Sequence, residues 1–277
     1  MDSRRRLVLK RLKSTLFYTG VISIVLMFCF PFLWMVFCSF KPNVELMNLP
    51  PRLLSNFTID NYKNVFLETA FSSRLTNSFI VSFMAVATGL LLGLPAAYSI
   101  ARYKFKKVSF GILISRMIPG ISFLIPWFII YRKIGIIDTY IGLIISHLVL
   151  TLPMIIWIMI GFFEDIPNEL EEAARIDGCN VWMSFYRIAV PLCRPGIATA
   201  SILAFIFSWN HFLFALILSG AKTNTLPVIV FQFMAYEEIN FGGLYAAATL
   251  ITLPIIVLVL MIQKQFISGL TMGGVKE

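Results

Sequence analysis

The sequence predicts an all-α membrane protein with six transmembrane helices. Three observations carry this reading. Hydrophobic residues fill 58% of the 277 positions and charged residues only 13%, against roughly a quarter charged in soluble domains. Mean hydropathy is +0.85. Six stretches (14–40, 75–101, 108–131, 139–163, 195–221 and 239–263) each match or exceed the roughly 20 helical residues that span a bilayer core.

Five of the six stretches contain no Asp, Glu, Lys or Arg, and the third contains only Arg116. In hydrocarbon each backbone donor and acceptor must be paired within its own segment, which selects helix. A membrane barrel would show alternating runs of about ten residues, whereas these runs are apolar on both parities. The composition excludes an ordinary soluble enzyme, a disordered chain and a disulfide scaffold. Cys29, Cys38, Cys179 and Cys193 lie in or beside apolar stretches without metal-ligand or disulfide spacing. The two histidines, His147 and His211, argue against a His-rich metal site.

The first span follows a basic segment (Arg4, Arg5, Arg6, Lys10, Arg11, Lys13). Its apolar run of 27 residues exceeds the roughly 7–15 of a signal-peptide core, and no A-x-A site ends it, so a retained span is expected. The net charge of +9 comes in short clusters between apolar runs, the mark of membrane topology and not of a nucleic-acid groove. One set of alternate segments carries fifteen Lys and Arg and the other seven. The positive-inside rule then places both termini, and the segment 164–195, in the cytoplasm.

Prolines recur within the spans: Pro31, Pro95, Pro119, Pro126, Pro153 and Pro254. Simple tolerance of proline in membrane helices is the preferred expectation, and a break lining a pathway is the alternative. Arg116 is expected to snorkel to the cytoplasmic headgroups. In the external loop 41–74, Asp60 is expected to cap a short helix carrying Tyr62, Val65 and Phe66. Asn56-Phe57-Thr58 matches a glycosylation sequon, a weak signal.

Residues 164–195 carry six acids and three bases and have start and stop signals of their own. Pro167 suits a first helical turn, the acids that follow complement the positive helix end, and Gly178 suits a left-handed stop. A helix of about ten residues from Asn168 to Asp177 is therefore expected. Leu170, Ala173, Ala174 and Asp177 share one face of it. Asn180 can cap a second short helix that Pro191 ends. A loop of net charge −3 is ill suited to an anionic leaflet. Docking to another protein is the better reading.

This stretch resembles the EAA loop of ABC importer membrane subunits, whose pattern is E-A-A, three residues, G, nine residues, I, one residue, L-P. The chain has Glu172-Ala173-Ala174, Gly178, Ile188 and Val190-Pro191, with only valine departing. The likeness extends to Asp60-Asn61-Tyr62, Arg116-Met117-Ile118-Pro119, Ile137-Asp138-Thr139, Ser208-Trp209-Asn210 and the carboxyl-terminal segment 269–276. All are similar to the maltose-type permease subunit of carbohydrate importers.

The resemblance implies a single permease domain of the type I importer fold, 1–277, with a cytoplasmic coupling hairpin at 164–195 and a cytoplasmic tail at 264–277. Glu172, Ala173, Ala174, Asp177 and Gly178 would dock on an ATP-binding subunit. Gly273, Gly274 and Lys276 of the tail would reach between two such subunits. A homologous second permease and an extracytoplasmic binding protein would complete the assembly in a prokaryotic inner membrane, with no nucleic acid. The chain itself has no phosphate loop and needs no cofactor, because ATP and Mg would be held by the partners. Ser208-Trp209-Asn210-His211 leaves two readings open: Trp209 stacking on a sugar with Asn210 or His211 bonding hydroxyls, or interhelical packing. His147 is expected to be a satisfied interior histidine. An ion-coupled carrier or channel is the alternative function. All fourteen acids lie outside the six runs, and such carriers often need a carboxylate at mid-depth.

Overall fold

The computed structural model describes residues 2–48, 56–234 and 239–272. Among these residues the chain is helical without strands. Four helices are long and apolar enough to cross a membrane, and up to six spans result if each of two sharply bent helix pairs counts as one. The helices divide into two units, Met1–Thr69 with Phe233–Leu250, and Ala70–Gln232 with Ile251–Glu277.

The first unit holds α1 (Asp2–Ser39), α2 (Asn43–Leu46) and α3 (Asp60–Glu68). The apolar side chains of α1 are exposed nearly all round, as suits a helix solvated by lipid. Asn61 holds the unit together: its amide donates to the carbonyls of Ser39 and Lys41, both at 2.8 Å. Gly242 lies so close that a Cβ there would meet the Asn61 carboxamide at 2.5 Å. Asp60 does not cap α3. It is the first helical residue, and the Thr58 hydroxyl instead bonds both its amide and its carboxylate.

The second unit is built on α4 (Phe71–Arg102) and α7 (Tyr140–Glu164), with α5 (Lys106–Met117) and α6 (Leu124–Ile134) between them in sequence. Ala85, Gly89, Gly93, Ala97 and Ala101 recur every fourth residue of α4, and all are buried. Lacking side chains, Gly89 and Gly93 let the backbone of α4 approach α7. A Cβ at Gly89 would stand 2.7 Å from Ile155 Cδ1, and one at Gly93 3.0 Å from Ile155 Cγ2. Where lipid removes the aqueous drive for association, close backbone contact of this kind supplies the attraction.

Pro31, Pro95, Pro153 and Pro254 are accommodated inside continuous helices, as expected. Pro119 is not. The predicted third span is broken: α5 ends at Met117, Ile118 is extended, and the chain bends by 89° before α6. A residue preceding proline is pushed out of the α region, and here Ile118 takes that conformation. Pro126 falls in the first turn of α6, where its missing donor costs nothing.

The remaining elements are α8 (Asn168–Ile176), α9 (Val181–Ser184), α10 (Val190–Leu192), α11 (Arg194–Trp209), α12 (Leu213–Leu218), α13 (Leu226–Gln232) and α14 (Phe241–Met272). The predicted fifth span is thus also interrupted, between Trp209 and Leu213. Outside the hydrocarbon, Asp138 joins the loop after α6 to the loop after α12. Its carboxylate accepts from the amides of Gly220 (2.8 Å), Thr223 (3.0 Å) and Lys222 (3.3 Å) and from the Thr223 hydroxyl (2.8 Å). Burial would raise this carboxyl, but the four donors outweigh it and hold the group below its ordinary value.

Candidate functional site

The hairpin after α7 forms as its sequence dictates. Pro167 precedes α8 as its N-cap, and Asn168 is the first helical residue, where the helix is expected to begin; it ends at Ile176, one residue short of the expected Asp177. Gly178 has φ +89°, and two bonds close the helix: Gly178 N–H to the Arg175 carbonyl and Cys179 N–H to the Ala174 carbonyl. This is the glycine-dependent stop of a Schellman motif. Asn180 caps α9, its side chain accepting from the Met183 amide at 2.8 Å. Pro191 does not end the second arm. A π-helical turn over Phe185–Ala189 precedes it, and the arm continues through α10 before bending by 76° into α11. The extra residue of the π turn accommodates a proline that lacks an N–H and would crowd the carbonyl four residues back in an α-helix.

The predicted alanine pair is divided between two faces. Ala174 is buried against the bundle, while Ala173 faces outward with Glu172, Asp177 and Gly178. Ile176 is 87% exposed and Trp182 63%. The outer face therefore combines acids with bare apolar side chains, a composition suited to another protein.

The inner face contains what the sequence reading missed. Glu171, the acid just before the motif, is only 4% exposed. It accepts from Tyr98 Oη at 2.6 Å and from Arg102 Nε at 2.7 Å, so it ties α8 to the last turns of α4. Arg102 Nη1 also donates to the Ile166 carbonyl and to Asn168 Oδ1. Phe185 of the second arm inserts beside Tyr98 and Phe163, with ring centroids 5.0 and 6.2 Å away. A buried ion pair and a buried ring thus fasten the two arms to the bundle. A carboxylate beside a basic residue 69 positions earlier leaves no local pattern to read.

The two helix breaks meet at a second feature. A cavity of about 320 Å³ is lined by Arg116 and Pro119 at the first break, by Phe207 and His211 at the second, and by Leu150 and Pro153 of α7. Arg116 closes the last turn of α5, where a cation meets the negative end of the helix dipole. Broken helices around a cavity are the usual way that irregular backbone is tolerated at membrane depth. The preferred expectation of simple proline tolerance within a continuous helix is therefore corrected at Pro119, where the alternative, a break beside a cavity, is found.

Of the residues proposed for a substrate pathway, Trp209 is 2% exposed, lies parallel to Phe205, and donates its indole N–H to the Ile251 carbonyl. It presents no free face for stacking. Asn210 is exposed, and His211 borders the cavity. His147 bonds Ser208 Oγ through Nδ1 at 2.7 Å, and Ser208 in turn donates to Ser82. Gly273, Gly274 and Lys276 lie outside the described residues. Among the described residues no group of three or more His, Cys, Asp or Glu is placed to hold a metal ion.

Known proteins share this architecture. Residues 89–271 match the family described as binding-protein-dependent transport system inner membrane component. The trehalose transport system permease protein SugB of Mycobacterium tuberculosis is 39% identical over 252 residues, covering 89% of this chain and 92% of that one. The trehalose/maltose transport system permease protein MalG of Thermococcus litoralis is 32% identical over 272 residues, covering 96% and 98%. The crystal structure of a bacterial ABC transporter that imports the acidic polysaccharide alginate superposes with a TM-score of 0.76 at 22% identity, over 92% of this chain and 97% of that one. With its spans, its charged hairpin and its interrupted helices accounted for, the chain belongs to the binding-protein-dependent transport system inner membrane components, the multi-pass permease subunits of ABC importers.

Proposed function

We propose that this permease carries a sugar, oligosaccharide or polyol inward, delivered by an extracytoplasmic binding protein and driven by ATP hydrolysis on two partner subunits. The carbohydrate named for the trehalose and trehalose/maltose relatives supports the substrate class. The observation that carries the mechanism is the two-faced hairpin. Its inner face is fixed to α4 through Glu171 and Arg102, and its outer face offers Glu172, Ala173, Asp177 and Gly178 to a cytoplasmic ATPase. Ala174 serves the inner face. Closure of the ATPase pair would push the hairpin, and the fixed inner face would pass that displacement to α4 and α7. The outcome is alternating access around a cavity edged by Arg116 and His211.

In this reading both termini are cytoplasmic, a different homologous permease completes a heterodimer, and the tail residues Gly273, Gly274 and Lys276 enter the ATPase interface. ATP and Mg stay on the partners, and no reaction is catalysed by this chain. The test is reconstitution of the purified complex in proteoliposomes with its binding protein. Uptake of labelled trehalose or maltose, blocked by vanadate, is the expected result. Uptake driven by an ion gradient without ATP would overturn the proposal.

A further inference from the structure

A second cavity, sharing no lining residue with the first, opens where α4 ends, α5 begins and α7 closes, with a volume of about 660 Å³. Its walls are of two kinds. Lys104 and Lys106 line one end, and Phe110, Leu113 and Trp157 line the other. Among the described residues neither lysine has an ion-pair partner. Arg102 also borders the groove but is committed to Glu171. Glu164 is the one carboxylate on the wall, so the two lysines outnumber it.

Lys104 is held in place by the backbone. It has φ +53° at the stop of α4, and the Phe105 amide donates to the Ile100 carbonyl across it. A lysine thus occupies a left-handed position where glycine is the ordinary choice. The groove lies at the ends of two membrane-crossing helices, so it straddles the boundary between hydrocarbon and water. Trp157 lies about 10 Å along α7 from Glu164, by the rise of an α-helix. A soluble anion would satisfy the lysines and leave the aromatic wall bare. A zwitterionic lipid would cover the wall and leave the lysines without a net negative partner.

We propose that this groove binds one anionic phospholipid, its phosphate between Lys104 and Lys106 and an acyl chain along Phe110, Leu113 and Trp157. Basic pockets between spans suit such headgroups, and each lysine near the surface contributes about fivefold to enrichment. The site goes beyond the transport reading and rests on membrane insertion alone.

The test places the intact transporter in phosphatidylcholine nanodiscs containing a minor fraction of phosphatidylglycerol with brominated chains. The readout is quenching of Trp157, taken as the difference between wild type and Trp157→Phe. Quenching on the order of tenfold above that from the same fraction of brominated phosphatidylcholine is expected. That excess should vanish in Lys104→Gln/Lys106→Gln, leaving quenching at the phosphatidylcholine level, and persist in Lys133→Gln. Equal quenching by the two lipids, or none because another subunit covers the groove, would overturn the proposal. So would an unaffected double variant. Displacement by inorganic phosphate alone would overturn it in favour of a soluble anion.

Discussion

Glu171 and Arg102 face each other beneath the hairpin with side chains only 5% and 12% exposed, their closest approach 2.5 Å. Removing one member strands the other's charge, at a cost of about 3–5 kcal/mol for a buried pair. Glu171→Ala is therefore expected to lower the melting temperature of the complex and to raise ATP hydrolysed per sugar imported. Replacing both residues with leucine should recover most of the stability but not the coupling. The check is a double-mutant comparison of thermal melting beside coupled uptake.

Glu172 is next in sequence but faces outward. Glu172→Ala is expected to leave melting of the permease within about 0.5 kcal/mol of wild type while weakening retention of the ATPase through purification. Retention at the wild-type level would remove Glu172 from the docking face.

At Gly178 the backbone is left-handed and no heavy atom lies within 4 Å of the Cβ position. Gly178→Ala pays only the conformational cost, about 1–2 kcal/mol, and should still import sugar. Gly178→Arg adds bulk on the docking side and should uncouple hydrolysis from uptake. Equal activity of the two variants with normal assembly would refute a contact at this position.

Along the α4–α7 seam, a methyl group at Gly89 meets Ile155 Cδ1 at 2.7 Å. Gly89→Ala is expected to destabilise by about 1–3 kcal/mol through overpacking. Ile155→Val removes the opposing methyl and should partly restore Gly89→Ala, which thermal melting of the double variant would read.

Asp138 gives a pH dependence of known sign. Its carboxyl lies below its ordinary value when folded, so its contribution is complete above about pH 4. That contribution is lost as the pH falls through the folded value. Proteolysis of the 219–225 loop should rise in that acid range in wild type. In Asp138→Asn it should already be raised at neutral pH and change little with acid. Asparagine tolerates the left-handed backbone at φ +55°, so the substitution isolates the charge.

The elements governed by local chemistry were readable from the chain. Gly178 and Asn180 stop and start the hairpin arms because their own backbone and side chain do so wherever they occur. What stayed hidden depends on partners distant in sequence. Glu171 looks like one more acid of a solvated helix until Arg102 and Tyr98 are brought beneath it. Trp209 in a polar tetrad suggests a binding face, but its orientation is set by Phe205 and the Ile251 carbonyl. The break at Ile118 was visible as one of two outcomes, since proline alone does not decide whether neighbouring helices will supply the lost hydrogen bonds. The small residues every fourth position of α4 were legible in principle, but uniform hydrophobicity masks a pattern of size.

The row of small residues on α4 has a mechanical consequence. The Ile155 and Leu152 side chains of α7, seated directly on bare α4 backbone at Gly89 and Gly93, cannot slide or tilt away without opening a void, which favours α4 and α7 moving as one stiff blade. Flexing would then fall to the two places where helical geometry is already interrupted, at Ile118–Pro119 and at Asn210–Phe212.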